Sequence, residues 1–210
     1  MGAPLVGVLA LQGAFAKHMA MLHSIQVKAK PVRRPQELKE CDALVIPGGE
    51  TTTMMRRIDF IGLREFLVEF AEKKPIFGTC AGLVLMAKEV VGGSVTPLGL
   101  MNIVVERNGY GRQYESFSAG IFPLFPEMGR SFRGVFIRAP RLRRVGKGVT
   151  VLATFDGEPV LVQQNHFLAA SFHPELTDNS AIHRFFLNLV KTGGQTGGQA
   201  RDSGICKTTG

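Results

Sequence analysis

Apolar residues in the first half of the chain form short continuous runs that alternate with amphipathic stretches. Four segments predict strands: Leu5–Leu11, Val27–Val32, Leu44–Ile46 and Pro75–Phe77. The continuous apolar run Leu5–Leu11 is typical of a strand buried on both faces. Two stretches predict helices: Ala14–Ile25 and Ile61–Lys73, whose Leu63, Phe66, Leu67 and Phe70 share one face. This alternation predicts an α/β fold, a three-layer sandwich with a mostly parallel central sheet.

The second half of the chain has shorter apolar segments separated by turn residues such as Asp156-Gly157. They predict short, partly antiparallel strands at Val135–Ile137, Val149–Thr154, Val160–Gln163 and Phe167–Phe172. A last helix is predicted over Ala181–Lys191, with Asp178 or Asn179 as its N-cap. Residues 1–191 therefore predict one domain. Residues 192–210, rich in Gly, Gln and Thr, are too polar to bury surface and predict a disordered tail.

Length, cysteine content and charge narrow the class of protein. The 210 residues suit one α/β domain, and no apolar run reaches the roughly 18 residues of a membrane span. Three cysteines, an odd and sparse set, argue against a disulfide framework and favour a reducing cytoplasm. The net charge of +8 is dispersed and is not interleaved with aromatic residues, which argues against nucleic-acid binding and favours a solvated surface or a patch for an acidic protein.

The pentapeptide Gly78-Thr79-Cys80-Ala81-Gly82 lies between an apolar run and a predicted helix over Leu83–Val90. A nucleophile between small residues at a strand-to-helix turn is the pattern of a nucleophile elbow, which lifts the side chain above the sheet edge. The positive end of the helix dipole favours a thiolate at that point. The pattern predicts a nucleophilic Cys80, although a cysteine beside glycines is more commonly a small buried residue.

His173 is the candidate base for this nucleophile. It follows an apolar strand and precedes Pro174-Glu175, so His173 and Glu175, two residues apart in extended chain, can face one cleft. A carboxylate can hold a catalytic imidazole in the correct tautomer, so these residues and Cys80 form a candidate triad. A metal site at His173 and Glu175 is the weaker alternative, because no convincing third or fourth ligand stands at a suitable spacing. The helical histidines are expected to be surface or packing residues: His18, His23 and His183.

A third element, Pro47-Gly48-Gly49-Glu50, follows the strand Leu44–Ile46. Tandem glycines there can simply form a turn. At the carboxyl end of a strand they can also present backbone N–H groups to a developing oxyanion, and a side chain would block the approach of a substrate carbonyl.

Together these motifs and several others resemble the class I glutamine amidotransferases. The Ser171-Phe172-His173-Pro174-Glu175-Leu176-Thr177 segment matches that family, and further motifs are similar to the glutaminase subunits of pyridoxal phosphate synthase. The further motifs are Leu9-Ala10-Leu11-Gln12-Gly13, Glu106-Arg107-Asn108, Gly111-Arg112-Gln113, Ser116-Phe117 and Val135-Phe136-Ile137-Arg138-Ala139-Pro140. The resemblance covers about residues 5–190, in order and with fitting spacing, and it implies a flavodoxin-like, class I glutamine amidotransferase fold.

The resemblance also implies a reaction. Cys80 attacks the side-chain amide of L-glutamine, His173 held by Glu175 moves protons, and water hydrolyses the glutamyl thioester. It implies that Gly48, Gly49, Glu50, Arg107, Ile137 and Arg138 bind glutamine and that the Gly49 and Ala81 amides form the oxyanion hole. An arginine also suits the α-carboxylate of glutamine, which needs a paired cation. Ammonia would pass to a separate pyridoxal phosphate synthase subunit in a large hetero-oligomer, and the chain would hold no cofactor and no metal.

The chain departs from the family's sequence pattern at two places, and alternative functions remain open. The segment Gln163-Gln164-Asn165-His166 lacks the glycine expected after the glutamine, and Thr51 stands where the family more usually has serine. An amidotransferase subunit of another pathway, or a general cysteine hydrolase, would use the same triad, although residues 102–117 and 135–140 argue against both. A non-enzymatic scaffold that regulates a synthase is the third reading, and the intact triad argues against it.

Overall fold

The computed structural model describes residues 3–92, 95–109, 116–125, 129 and 131–193. The strands are β1 Leu5–Leu9, β2 Lys28–Val32, β3 Ala43–Ile46, β4 Ile76–Thr79, β5 Ala87–Val91, β6 Met101–Glu106, β7 Ser116–Pro123, β8 Phe132–Ile137, β9 Arg141–Val145, β10 Thr150–Phe155, β11 Glu158–Gln164 and β12 Phe167–Ala170. The helices are α1 Phe15–Ser24, α2 Pro35–Lys39, α3 Thr51–Phe60, α4 Arg64–Ala71, α5 Ala81–Met86 and α6 Ala181–Thr192, and a 3-10 turn covers Pro174–Leu176.

One large sheet organises the chain, in the strand order β2-β1-β3-β4-β12-β11-β10-β7-β8. The five strands from β2 to β12 are parallel, and the ladders from β12 to β8 are antiparallel. A second, smaller sheet has the order β5-β6-β9, with β5 and β6 parallel and β9 antiparallel to β6. The predicted α/β class is confirmed, and within the large sheet the antiparallel pairing predicted for the second half lies on one side.

Two apolar cores lie on the two faces of the large sheet. Side chains that alternate along β3 separate to opposite cores, since Leu44 and Ile46 join one and Ala43 and Val45 the other. The first core includes Met54 and Ile58 of α3 together with buried residues of α4, α5 and the smaller sheet. The second includes Leu22 of α1 and Phe186 of α6. Helices therefore cover both faces, as the apolar runs predict.

Several element boundaries differ from the sequence-based predictions. The helix predicted over Leu83–Val90 is wrong in its second half: α5 ends at Met86, Ala87 is extended with ψ 154°, and β5 pairs with β6. The amphipathic stretch Ile61–Lys73 forms a helix only from Arg64 to Ala71. The short helices α2 and α3 and the strands β6, β7 and β9 were not predicted as such.

The C-terminal prediction is met only as far as the structure describes the chain. Helix α6 ends at Thr192 with Gly193 in the left-handed conformation (φ 62°) as its C-cap. The predicted N-cap at Asp178 or Asn179 is wrong, because Ser180 is the N-cap of α6. The Asn179 side chain still accepts a hydrogen bond from the Ala181 N–H at 2.8 Å, which satisfies one free amide of the first turn. Residues 194–210 of the predicted tail lie outside the described residues, as does the Gly111-Arg112-Gln113 motif.

The departure at Asn165 has a structural reason. This residue turns the chain between β11 and β12 with a φ of 52°, and its carbonyl accepts a hydrogen bond from Gln163 Nε2 at 2.9 Å. Asparagine tolerates the left-handed conformation better than other residues with a side chain. It therefore serves at a turn position where glycine is the usual choice.

Candidate active site

The predicted site residues gather at the carboxyl edge of the parallel half of the sheet. Gly48, Gly49 and Glu50 follow β3, Cys80 follows β4, and His173 lies three residues after β12. Because β3, β4 and β12 are parallel neighbours, their carboxyl ends meet at one edge. Loops at such an edge form the usual ligand crevice of an open α/β sheet.

Cys80 occupies a strained turn between β4 and α5. Its φ of 49° and ψ of −105° are unusual for a residue with a side chain, and its N–H is fixed by the carbonyl of Ala170 at 2.8 Å. The turn brings α5 so close to β3 that a Cβ on Gly82 would lie 2.0 Å from the Ile46 carbonyl oxygen. Gly82, one of the small residues predicted to form the elbow, is therefore required by backbone packing. Cys80 is 7% exposed, at the start of the helix.

His173 and Glu175 form a buried hydrogen-bonded pair. Nδ1 of His173 lies 2.7 Å from Oε1 of Glu175, and the side chains are 8% and 0% exposed. The backbone N–H of His173 donates to the carbonyl of Val135 in β8 at 2.8 Å, which fixes the start of the 3-10 turn. Glu175 thus accepts a hydrogen bond from the Nδ1–H of His173, which leaves Nε2 of His173 for Cys80.

The electrostatics of the pair favour a charged imidazole. Burial alone would lower the pKa of His173, but its hydrogen bonds and charge interactions with Cys80 and Glu175 outweigh burial and raise that pKa to about 10. Burial would raise the pKa of Glu175, and the surrounding imidazoles, His18 first and then His173, lower it below its usual value. A carboxylate at Glu175 and a proton on His173 stabilise each other.

Gly48 packs directly against both candidate catalytic side chains. A Cβ on Gly48 would lie 2.2 Å from Cε1 of His173 and 3.3 Å from Cβ of Cys80. Its carbonyl accepts the Ala14 N–H at 3.3 Å, which ties the turn after β3 to the start of α1. A Cβ on Gly49 would instead face Gln12 Nε2 at 3.1 Å and Met54 Sδ at 3.2 Å. Of the two glycines, Gly48 is the one in contact with His173 and Cys80.

Ala81, the other predicted oxyanion donor, is the first residue of α5 and is 2% exposed. First-turn N–H groups of a helix have no intrahelical acceptor, so this amide is free to donate to a ligand near Cys80. The pairing of Gly49 with Ala81 as an oxyanion hole stays a prediction.

Glu50 and Arg107 meet at the start of α3. The Glu50 carboxylate caps the helix by accepting from the N–H groups of Thr52 at 3.1 Å and Thr53 at 2.6 Å. The hydrogen bond from the Thr53 side chain, followed by those from the backbone of Thr53 and Thr52, lowers the pKa of Glu50 to about 2. Nη2 of Arg107 lies 3.3 Å from Oε1 of Glu50, and Nη1 of Arg107 donates to Oγ1 of Thr52 at 3.2 Å. Two predicted substrate-binding residues are therefore brought together, 57 positions apart in sequence.

Ile137 and Arg138 lie at the end of β8, beside the nucleophile. The Ile137 carbonyl oxygen is 3.7 Å from Cys80 Sγ, within reach of a thiol hydrogen bond. Arg138 is exposed and has a φ of 44°, an uncommon conformation for an arginine. The structure places both residues next to the site, and their role in binding glutamine stays a prediction.

Three residues that contact the candidate site were not predicted from the sequence to belong to it. Gln12 Nε2 donates to the Glu50 carbonyl at 2.7 Å. His18 and His183, expected to be surface or packing residues, are fully buried and lie in line behind Glu175. The signal was present in the helix pattern, because each histidine stands three and four positions before buried apolar residues: His18 before Met21 and Leu22, and His183 before Phe186 and Leu187.

The described residues contain no group of three or more His, Cys, Asp or Glu side chains placed to hold a metal ion. In the same part of the chain, no helix combines the length and apolar character needed to cross a membrane.

Fold and site together define an α/β protein with a cysteine elbow and a buried His–Glu pair at the carboxyl edge of a parallel sheet. The sequence profile of the SNO glutamine amidotransferase family matches residues 8–192, so the chain belongs to that family.

Relatives and solved structures agree with this membership. The chain is 50% identical over 187 residues to the pyridoxal 5'-phosphate synthase subunit PdxT of Geobacillus kaustophilus, covering 89% of this chain and 94% of the relative. It is 49% identical to the protein of the same name from Thermosipho africanus, covering 89% and 98%. A crystal structure of a glutamine amidotransferase has a TM-score of 0.84 at 45% identity, covering 90% of this chain and all of that one.

Proposed function

We propose that this chain is the glutaminase subunit of a pyridoxal 5'-phosphate synthase. It hydrolyses L-glutamine to L-glutamate and ammonia, and the ammonia passes to a synthase subunit. The observation that carries the chemistry is the elbow cysteine beside a histidine whose Nδ1 lies 2.7 Å from a buried carboxylate. The pathway is supported by relatives at about half identity that are named as synthase subunits.

The reaction follows from the protons these groups can move. The thiolate of Cys80 attacks the side-chain amide carbon of glutamine, and a C–S bond forms as the carbonyl becomes an oxyanion. His173, protonated and held by Glu175, gives its proton to the leaving nitrogen, and the C–N bond breaks to release ammonia. His173, now neutral, takes a proton from water, whose oxygen attacks the thioester and releases glutamate and the Cys80 thiolate.

Backbone amides and polar side chains around the elbow complete the site. The amides of Gly49 and Ala81 stabilise the oxyanion, as such donors do when they are aimed at developing charge. Gly48 leaves room for the substrate amide, while Glu50, Arg107, Ile137 and Arg138 line the approach. Arg107 or Arg138 supplies the cation for the α-carboxylate of glutamine, and Glu50 accepts from its α-ammonium group.

The assembly is the second part of the proposal. Ammonia released beside Cys80 is lost to water unless an acceptor subunit covers the site, so the chain works in a hetero-oligomer with the synthase. The thiols of Cys41 and Cys80 are unpaired, which suits a reducing compartment such as the cytoplasm.

Glutamate release tests this function. We expect release from glutamine that rises when a pyridoxal 5'-phosphate synthase subunit is added and that vanishes in Cys80→Ser. Release that is unaffected by the synthase subunit, but still needs Cys80, would assign the chain to another pathway. No release with the synthase subunit present, from folded protein, would refute the function.

A further inference from the structure

Glu175 has a second carboxylate oxygen, and it faces a buried histidine pair. Nε2 of His18 lies 3.3 Å from Oε2 of Glu175 and 3.1 Å from Oγ1 of Thr79. Nδ1 of His18 in turn lies 3.0 Å from Nε2 of His183. The line of polar groups therefore runs from Cys80 through His173 and Glu175 to two further imidazoles.

The histidine pair is set in an apolar core. The ring of Phe77 meets both imidazoles edge-on, with centroids 6.2 Å from His18 and 5.7 Å from His183. Burial lowers the pKa of His18, despite the opposing pull of Glu175, and lowers that of His183 to about 3. At neutral pH both rings are therefore neutral, and each carries a single N–H.

The contacts select one tautomer for each ring. An ionised carboxylate accepts only, so the His18 nitrogen facing Glu175 and Thr79 must be the one that carries the proton. Nδ1 of His18 is then an acceptor, which requires the proton of His183 to lie on Nε2. This leaves Nδ1 of His183, one of two buried side-chain atoms without a hydrogen bond in the described residues, as an unmatched acceptor.

The opposite pair of tautomers, with the proton of each ring on Nδ1, is less favourable at both ends of the histidine pair. It would turn a lone pair of His18 toward the carboxylate and leave an N–H of His183 buried with no acceptor. Orphaned buried N–H groups are rarer in proteins than orphaned acceptors. Oε2 of Glu175 is the other buried side-chain atom without a hydrogen bond in the described residues. Nε2 of His18, 3.3 Å away, makes its hydrogen bond with Thr79 Oγ1 and meets Oε2 as an electrostatic contact.

We propose that His18 is a positioning residue of the active site, whose Nε2–H holds the Glu175 carboxylate toward His173, and that His183 holds His18 in the donating tautomer. His18 does not touch the reacting atoms. It acts by fixing the carboxylate that orients the imidazole. The inference rests on the proposed function only for its effect on glutamine hydrolysis, since the hydrogen-bond arrangement can be measured without substrate.

The first test uses the unmodified protein. Correlation spectra of ¹⁵N-labelled histidine distinguish the two neutral tautomers and the charged form, and His18→Gln and His183→Gln assign the signals. We expect His18 and His183 both neutral with the proton on Nε2 at pH 7. A proton on Nδ1 of His18 would overturn the proposal, whether or not any variant is active.

The second test removes and restores the donor. His18→Leu keeps an apolar side chain in the core without an N–H, while His18→Gln returns an amide donor near the position of Nε2. We expect His18→Leu to lower kcat between about tenfold and a hundredfold, the effect of losing one polar contact to a charged group. KM for glutamine should stay within about twofold, and His18→Gln should recover most of kcat. His23→Leu, on the exposed side of the same helix, is the matched control.

The rate of alkylation of Cys80 by iodoacetamide, followed against pH, separates this inference from the glutaminase function. The signal is corrected with Cys80→Ser, because Cys41 and Cys206 remain in both proteins. We expect the midpoint of the profile to move upward in His18→Leu and less in His183→Leu, because a loosened Glu175 supports a charged His173 less well. Profiles equal to that of His23→Leu, or His18→Gln as impaired as His18→Leu, would contradict a positioning role even in a fully active glutaminase.

Discussion

Gly48 is the residue at which the geometry of the site leaves least room. The space that a Cβ would occupy there is already filled by the His173 ring, with Cε1 2.2 Å away. No backbone strain is involved, since Gly48 does not have a positive φ. The requirement for glycine is therefore a matter of contact with the His173 imidazole and not of chain conformation.

Replacing Gly48 with alanine should consequently disable the enzyme without unfolding it. We expect Gly48→Ala to lower kcat/KM about a hundredfold, the cost of a displacement of roughly 1 Å in a catalytic group. Thermal unfolding should show a folded protein. Gly120→Ala is the matched control, because nothing lies within 4 Å of a Cβ there. Equal activity of the two variants would show that His173 moves aside at no cost.

Helix α3 depends on a single side chain at its start. Glu50 caps two amides of the first turn, and Arg107 joins it from the loop after β6. We expect Glu50→Ala to lower the free energy of unfolding by about 1 kcal/mol, as the loss of an N-cap does. The exposed ion pair with Arg107 adds little, because surface pairs are screened by water. Urea unfolding followed by circular dichroism measures the change, and Glu69→Ala on the exposed face of α4 is the control.

The pH dependence of that difference follows from the lowered pKa of Glu50. The pKa is about 2 in the folded state against 4.5 for an ordinary glutamate, so the carboxylate stabilises the fold above pH 4.5. This contribution is lost as the pH falls from 4.5 toward 2. The gap between the wild-type protein and Glu50→Ala should shrink over that range, and a constant gap would argue against capping by the charged form.

The elements and residues that sequence alone predicts are those with local signals. The buried strands β1, β3 and β4 stand out as apolar runs, and Cys80, His173 and Glu175 stand out because each lies in a short motif. Helix α5 was predicted too long, because nothing local in its sequence separates a buried helix from the strand β5 that pairs with β6. His18 and His183 lie 165 positions apart, so only the packing of α1 against α6 reveals their contact.

At the scale of the whole molecule, the candidate active site and the buried histidines behind it lie in different parts of the fold. The groups proposed to react lie at the carboxyl edge, while the core between the sheet, α1 and α6 contains the histidines proposed to support Glu175. Neutral histidines in a core make the fold sensitive to acid. The pKa of His183 is about 3 when folded and 6.5 ordinarily, so the unfolded chain binds more protons between these values, and stability rises with pH across that window.

The pH dependence of the unfolding free energy can be measured and assigned to individual histidines. Between pH 4.5 and 6.0, His183 should add a slope of about 1.4 kcal/mol per pH unit to the unfolding free energy. His173 adds little there, because it is protonated in the folded state, with a pKa of about 10, and largely protonated in the unfolded chain, where its pKa is 6.5. Glu175, whose pKa is lowered by folding from 4.5, contributes mainly as the pH falls to 4.5 and below. His18, with its lowered pKa, also contributes to the pH dependence.

His183→Gln should reduce the slope of the unfolding free energy against pH by about one proton, measured by circular dichroism since the chain has no tryptophan. His23→Gln, at an exposed position, should leave the slope unchanged. An unchanged slope in His183→Gln would mean that His183 is already protonated in the folded core, which would remove the physical basis for a neutral pair behind Glu175.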